Sequence, residues 1–149
     1  TECTFVTNDW DGMIPALQAK KFDAIVASMS ITPERLEKVD FSKKYYNTPP
    51  AIAVPKDSPV KTVEDLKGKT IGAQGSTTHA NYAEKHLADS ELKLYPTADE
   101  YKLDITNGRI DGVIDDIVMQ ERGGMNKLEE TGEDKRVFSG IAAETGAQR

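Results

Sequence analysis

The sequence predicts an α/β fold of two similar lobes, with parallel-rich sheets flanked by helices. Three observations carry this expectation. Apolar runs of strand length alternate with amphipathic helical stretches, the signature of βαβ units. Lys21–Ser28 and Arg109–Asp116 repeat one order (basic, apolar, Asp, small, apolar, apolar, with a polar residue closing the run), and each follows a helical stretch. Pro55-Lys56-Asp57-Ser58-Pro59 is polar and bounded by proline at both ends, the clearest boundary in the chain. The expected lobes are therefore 1–54 and 55–140, with 141–149 as the start of a return segment or a tail.

In chain order, Cys3-Thr4-Phe5-Val6 reads as a short strand. Asn8–Asp11 offers N-caps for a helix with Met13, Ile14 and Leu17 on one face and Lys20-Lys21 at its negative end. Pro15 is tolerated near the first turn of that helix. Phe22–Ala27 is expected to be a strand buried on both faces. Thr32-Pro33 starts a helix, Thr as N-cap and Pro at the first helical position. Two prolines hold Tyr45–Pro50 extended, and Ala51–Val54 reads as a strand. Thr62–Gly68 is a short helix ended by glycine, and Lys69–Ala73 is a strand. Ser76-Thr77-Thr78 caps a helix to about Leu87, and Leu92–Tyr95 is a further strand. Thr97-Ala98-Asp99-Glu100 is a capping box on a helix that stops at Asn107-Gly108. Arg109–Asp115 is a strand, a helix follows from about Asp116 to Arg122, and the pattern fades beyond Gly123.

With 38% hydrophobic and 30% charged residues, the 149-residue chain fits a folded rather than a disordered protein. A net charge of -6 without any basic block argues against nucleic acid as a partner. No apolar run approaches membrane-spanning length. Cys3 is the single cysteine, so cysteine count leaves the redox compartment open.

Arg35 poses the sharpest question. It falls in the first turn after Thr32-Pro33, where the helix dipole disfavours a cation. Ser28 and Ser30 lie between a strand end and that helix start, so hydroxyls and backbone N–H groups converge on a place suited to an anion, and Arg adds a planar fork matching a carboxylate. The bland alternative is a surface Arg paired with Glu34 or Asp40. Gly72–Thr78 is a donor-rich strand-to-helix loop without the glycine spacing or lysine of a phosphate loop; it reads equally as an ordinary capped turn. Asp115 and Asp116 end a strand and point to opposite sides. One of them is suited to an ammonium group, or to capping a helix. Trp10, the sole tryptophan, is placed either to stack on a flat or cationic ligand or to pack in the core. His79 and His86, seven apart, are too far for an ordinary helical zinc pair and read as surface residues. Neither a cofactor, a metal nor a catalytic constellation is indicated.

The stretch "DWDGMIPALQAKKFDAIVASMSITPERLEKVDFSKKYYNTP", followed by "DLKGKTIGAQGSTTHANYAE" and "NGRIDGVIDD", resembles periplasmic polar-amino-acid binding proteins of ABC importers, nearest to their lysine/arginine/ornithine-, histidine- and opine-binding branch. The resemblance runs from Cys3 to about Gly140. It implies a two-lobed periplasmic binding protein-like fold that closes on a free amino acid, a periplasmic or extracellular location, and an ABC permease as partner. By the same resemblance Trp10 stacks on the ligand side chain, Ser28, Ser30 and Arg35 hold its α-carboxylate, Thr78 contributes from the second lobe, and Asp116 holds the α-amino group. Ala27 stands where some relatives carry serine, and Ser76 where glycine is common. The family extends beyond this chain at both ends. The expectation is therefore a partial first lobe without its opening strand and helix or the C-terminal return, with the disulfide partner of Cys3 upstream. Rival readings are a cyclohexadienyl dehydratase-like enzyme on the same fold, a sensing module of a larger receptor, and a chain that binds nothing, or binds only after pairing with a second copy as a homo-oligomer through exposed edges.

Overall fold

A computed structural model of the chain describes residues 2–48, 50–116, 126–130, 137–139 and 142–143. In chain order the elements are α1 (Met13–Gln18), β1 (Ala24–Ile25), α2 (Pro33–Leu36), β2 (Asp40–Phe41), β3 (Tyr46–Thr48), β4 (Pro50–Val54), β5 (Thr70–Gln74), α3 (Thr78–His86), β6 (Glu91–Tyr95), α4 (Ala98–Thr106), β7 (Gly112–Asp116), β8 (Asn126–Glu130), β9 (Val137–Ser139) and β10 (Ala142–Ala143). Short 3-10 turns at Trp10–Gly12 and Glu64–Leu66 precede α1 and β5. The chain divides into one unit of residues 1–46 and 138–149 and another of residues 47–137.

The first unit is built on α1. Its apolar face buries Leu17 against Ile25, Met29 and Val39, with Met13, Ile14 and Phe22 packed around them. The helix ends in a Schellman arrangement. Lys21 N–H donates to the Ala16 carbonyl (3.0 Å) and Lys20 N–H to that of Leu17 (2.9 Å), with Lys20 at φ 57° where glycine is usual. β10 lies between β1 and β2, antiparallel to both.

Two expectations fail here for the same reason. Only Ala24–Ile25 of the Phe22–Ala27 run is strand, and only one of its faces is covered, since Ala24 is exposed and Val26 is 65% exposed. Cys3–Val6 forms no strand among the described residues, and Phe5 is 90% exposed. Apolar content alone cannot make a strand without a neighbour to pair with.

The second unit holds a five-stranded mixed sheet in the order β6-β5-β7-β4-β8. β5 runs parallel to β6 and β7, as the βαβ pattern requires, whereas β4 is antiparallel to β7 and β8. Every residue of β4 is buried, consistent with its unbroken apolar run. One sheet face packs Ile52, Ile71 and Ile114 against Ala80, Ala83 and Leu87 of the α3 segment. The other packs Ala53 and Val113 with Tyr101 and Ile105 of α4. Gly108 at φ 68° closes α4 with the same bond pattern that Lys20 gives α1. The expected capping box at Thr97 instead joins side chain to side chain, Thr97 Oγ1 to Glu100 Oε1 at 3.1 Å.

The break in packing falls between Tyr46 and Asn47 rather than at Pro55–Pro59, because β4 pairs along its length with β7. The proline-rich stretch is a surface turn within the second unit. The chain re-enters the first unit at Phe138, slightly ahead of the return segment or tail expected from 141, and β10 joins its sheet. β7 starts at Gly112, later than expected, and includes Asp116. The helix expected from about Asp116 to Arg122 does not begin at Asp116, which is strand, and its other residues lie outside the described ones.

Asp104 ties α4 to its surroundings, and nothing in the sequence pattern singled it out. Its nearly buried carboxylate accepts from Lys93 Nζ (2.7 Å), Tyr95 OH (2.8 Å) and Arg109 Nη1 (3.0 Å). The Lys93 and Tyr95 bonds hold its pKa down to about 2. A carboxyl whose folded pKa is depressed contributes stability present above its unfolded value, roughly 3.9, and lost as pH falls through the folded value. The expected result is that Asp104→Asn lowers the thermal midpoint at neutral pH, and that the gap between the two proteins shrinks from about pH 4 to about pH 2. A gap independent of pH in melts followed by circular dichroism would contradict this account.

Candidate functional site

In the first unit, α2 is a single turn. Thr32 Oγ1 accepts from Arg35 N–H (3.3 Å), and Pro33 occupies the first helical position, as the sequence predicts. Four residues make too short a helix for a substantial macrodipole, so the conflict anticipated for Arg35 is small. Side-chain contacts fix the arginine instead. Its Nη1 donates to the Ser30 carbonyl at 2.9 Å, and its guanidinium carbon lies 5.6 Å from the centroid of the Trp10 ring. Burial pushes the Arg35 pKa down, and the neighbouring Glu34 charge opposes that shift. Trp10 is half-buried against the Leu17 core, as the packing alternative expects, and its ring lies beneath the Arg35 cation.

Ser30 is buried and Ser28 exposed. Ser28 sits at φ 49°, and its N–H donates to Tyr45 OH at 3.1 Å. The first unit thus brings Trp10, Ser30 and Arg35 together and sets Ser28 beside Tyr45, a residue the sequence reading passed over. Its only sequence signal is an aromatic residue just ahead of the Pro49-Pro50 segment.

In the second unit, Ser76 takes the left-handed conformation at φ 56°, turning the chain into α3. Thr77 is the true N-cap: Oγ1 accepts from Ala80 N–H (3.1 Å) and donates to the Gln74 carbonyl (2.7 Å). Thr78 is the first helical residue and half-buried. Asp115 and Asp116 diverge as the strand period requires. Asp115 accepts from Tyr101 OH on the α4 side, and Asp116 Oδ1 lies 3.1 Å from His79 Nε2 on the α3 side. Burial first, then the Asp115 charge, raises the Tyr101 pKa, so the phenol keeps its proton.

His79 corrects the expectation of a surface residue, for it is buried at 8% exposure. His86 is exposed as expected and stacks on Tyr82. Donor atoms of His79, Asp115 and Asp116 lie within 4.8 Å of one another, the geometry from which a metal site is made. Each takes part in a hydrogen bond, which links His79 to Asp116 and Tyr101 to Asp115.

Residues 1–130 match the family model described as bacterial extracellular solute-binding proteins, family 3. The chain belongs to this family. The family 3 chain is 40% identical over 115 residues to the ABC transporter arginine-binding protein 1 of Escherichia coli (strain K12), covering 77% of this chain and 47% of that relative. It is 40% identical over 126 residues to the histidine-binding periplasmic protein of the same organism (83% and 48%). To the octopine-binding periplasmic protein of Rhizobium meliloti it is 36% identical over 137 residues (75% and 47%).

The family 3 chain thus spans about half the length of these relatives, whose coverage is 47–48%. Among solved structures it is similar to a Salmonella typhimurium periplasmic binding protein described for its high arginine specificity. That match has a TM-score of 0.87 at 30% identity, over 98% of this chain and 69% of that one. It is also similar to an ancestral amino acid-binding protein described as a precursor of cyclohexadienyl dehydratase, with a TM-score of 0.84 at 31% identity over 96% and 64%. Both are two-lobed periplasmic amino-acid binding folds, as the sequence predicted.

Proposed function

We propose that this chain is the ligand-binding part of a periplasmic or extracellular solute receptor that takes up a free polar amino acid, of the cationic or opine class, for an ABC permease. The observation that carries this reading is the Arg35 guanidinium, set against the Trp10 ring by the Ser30 carbonyl. A half-buried cation with a fixed fork is suited to a carboxylate, and the indole to the ligand side chain. In this reading Arg35, Ser28 and Ser30 take the α-carboxylate, Trp10 stacks on the side chain, Thr78 adds a polar contact, and Asp116 takes the α-ammonium. The arginine-, histidine- and octopine-binding names of its relatives support the class, and a net charge of -6 favours approach of a cation.

Titration calorimetry with arginine, lysine, ornithine, histidine and octopine tests it, with recovery of each ligand by mass spectrometry. Saturable one-site binding of at least one, recovered unchanged, is expected. Binding of none overturns the reading, and turnover of a bound ligand turns it into the enzyme alternative.

The proposal extends to self-association. In the first unit Phe5, Val6 and Val26 are exposed, and among the described residues β1 is an edge of its sheet. An apolar edge is a template for a second copy. Light scattering over a dilution series should give a mass above one chain; a cooperatively unfolding monomer at low micromolar concentration refutes this.

A further inference from the structure

We infer that His79 is a positioning residue for ligand ammonium recognition, presenting the Asp116 carboxylate in one orientation. The inference rests on the reading of Asp116 just given and assigns a role to a residue outside the set that touches ligand. Three observations carry it. His79 and Asp116 are both largely withdrawn from water, with side-chain exposures of 10% and 19%, and Nε2 lies 3.1 Å from Oδ1. An ionised carboxylate only accepts, so Nε2 carries the hydrogen. Among the described residues Oδ1 is the oxygen so engaged, which leaves Oδ2 to accept from an ammonium group.

The backbone that carries the imidazole is held firmly. Thr77 fixes the start of α3 by bonding at once to Gln74 and Ala80, and His79 follows two residues later in the first turn. Asp116 is anchored from the other direction, because its own N–H donates to Asp115 Oδ1 (2.8 Å) while Tyr101 holds Oδ2 of Asp115. With its backbone pinned, Asp116 keeps the rotation of its side chain, and the His79 bond restricts it. Shielded from water such a bond is stronger than at the surface, and losing the donor leaves a half-buried charge underpaired.

The test compares L-arginine with its des-amino analogue, 5-guanidinopentanoate, by calorimetry on wild type, Asp116→Asn, His79→Leu and His79→Gln. The preference for arginine over the analogue isolates the ammonium contact. His79→Leu is expected to cut that preference about tenfold, the worth of one hydrogen bond to a charged group, with little change for the analogue. His79→Gln should restore it, because its amide nitrogen stands as many bonds from Cα as Nε2. If Asp116→Asn leaves the preference intact, the reading of Asp116 fails and the inference with it. If Asp116→Asn abolishes it while His79→Leu weakens both ligands equally, His79 is only a structural tie and the inference alone falls. Should the Leu variant not fold, long-range 1H–15N spectra of the wild type decide, with His86→Gln separating the two histidines. A hydrogen on Nε2 of His79 supports the inference, and one only on Nδ1 overturns it.

Discussion

Arg35→Lys is expected to weaken amino-acid binding by about 2–3 kcal/mol while leaving the ligand-free thermal midpoint nearly unchanged. At 1.4 kcal/mol per tenfold this is roughly a 30- to 150-fold rise in Kd. The charge is kept, so a simple electrostatic attraction would survive the change. What goes is the planar fork: one guanidinium nitrogen is already committed to the Ser30 carbonyl, and the central carbon lies 5.6 Å from the Trp10 ring centroid. A lysine ammonium is a compact, strongly hydrated charge that cannot hold that carbonyl, stack on the indole and meet two carboxylate oxygens together. The stability half follows from position, since Arg35 is half-buried on a one-turn helix whose start is capped by Thr32 and Pro33 independently of the side chain. Calorimetry and a ligand-free melt on the same samples check both halves. Unchanged affinity removes Arg35 from the carboxylate contact, and a midpoint that falls in step with affinity makes its role structural.

The parts of the molecule legible in the sequence are those whose cause is local. Thr32 capping Arg35 N–H, Gly68 and Gly108 in left-handed turns, and the alternation that sends Asp115 and Asp116 to opposite faces each depend on a few adjacent residues. The Arg35–Ser30 bond spans only five residues, yet its acceptor is a backbone carbonyl, which no side-chain motif announces. What escaped depends on pairing at a distance. β4 belongs to the second unit because β7, some sixty residues on, lies beside it, whereas Pro55–Pro59 carries the local punctuation. Ala142–Ala143 is too short to show any period, yet it lies between two strands of the first unit. The His79–Asp116 bond spans 37 residues. A signal for it was present: His79 shares the helical stripe of Ala80, Ala83 and Leu87, whose small residues let α3 approach the sheet. Treating histidine as polar hid it.

The second large effect concerns the two ends of the ligand. If Arg35 reads the carboxylate and Asp116 the ammonium, arginine amide and N-acetyl-arginine should each bind about 2–5 kcal/mol more weakly than arginine, since each leaves one desolvated charge without its partner. Weak binding of either analogue alone also follows from simple steric exclusion, so residue and ligand must be varied together. Arg35→Lys should matter for arginine and far less for the amide, because the contact it damages is already gone. Asp116→Asn should matter for arginine and far less for the N-acetyl form. Those two matched cycles should give coupling energies of about 1.5 kcal/mol or more, in the range found for residues that touch. The crossed cycles, Arg35→Lys with N-acetyl-arginine and Asp116→Asn with the amide, should be additive within about 0.5 kcal/mol. Binding of either analogue as tight as arginine itself ends the two-ended reading. So does a set of cycles in which matched and crossed couplings are equal, for then neither residue distinguishes one end of the amino acid from the other.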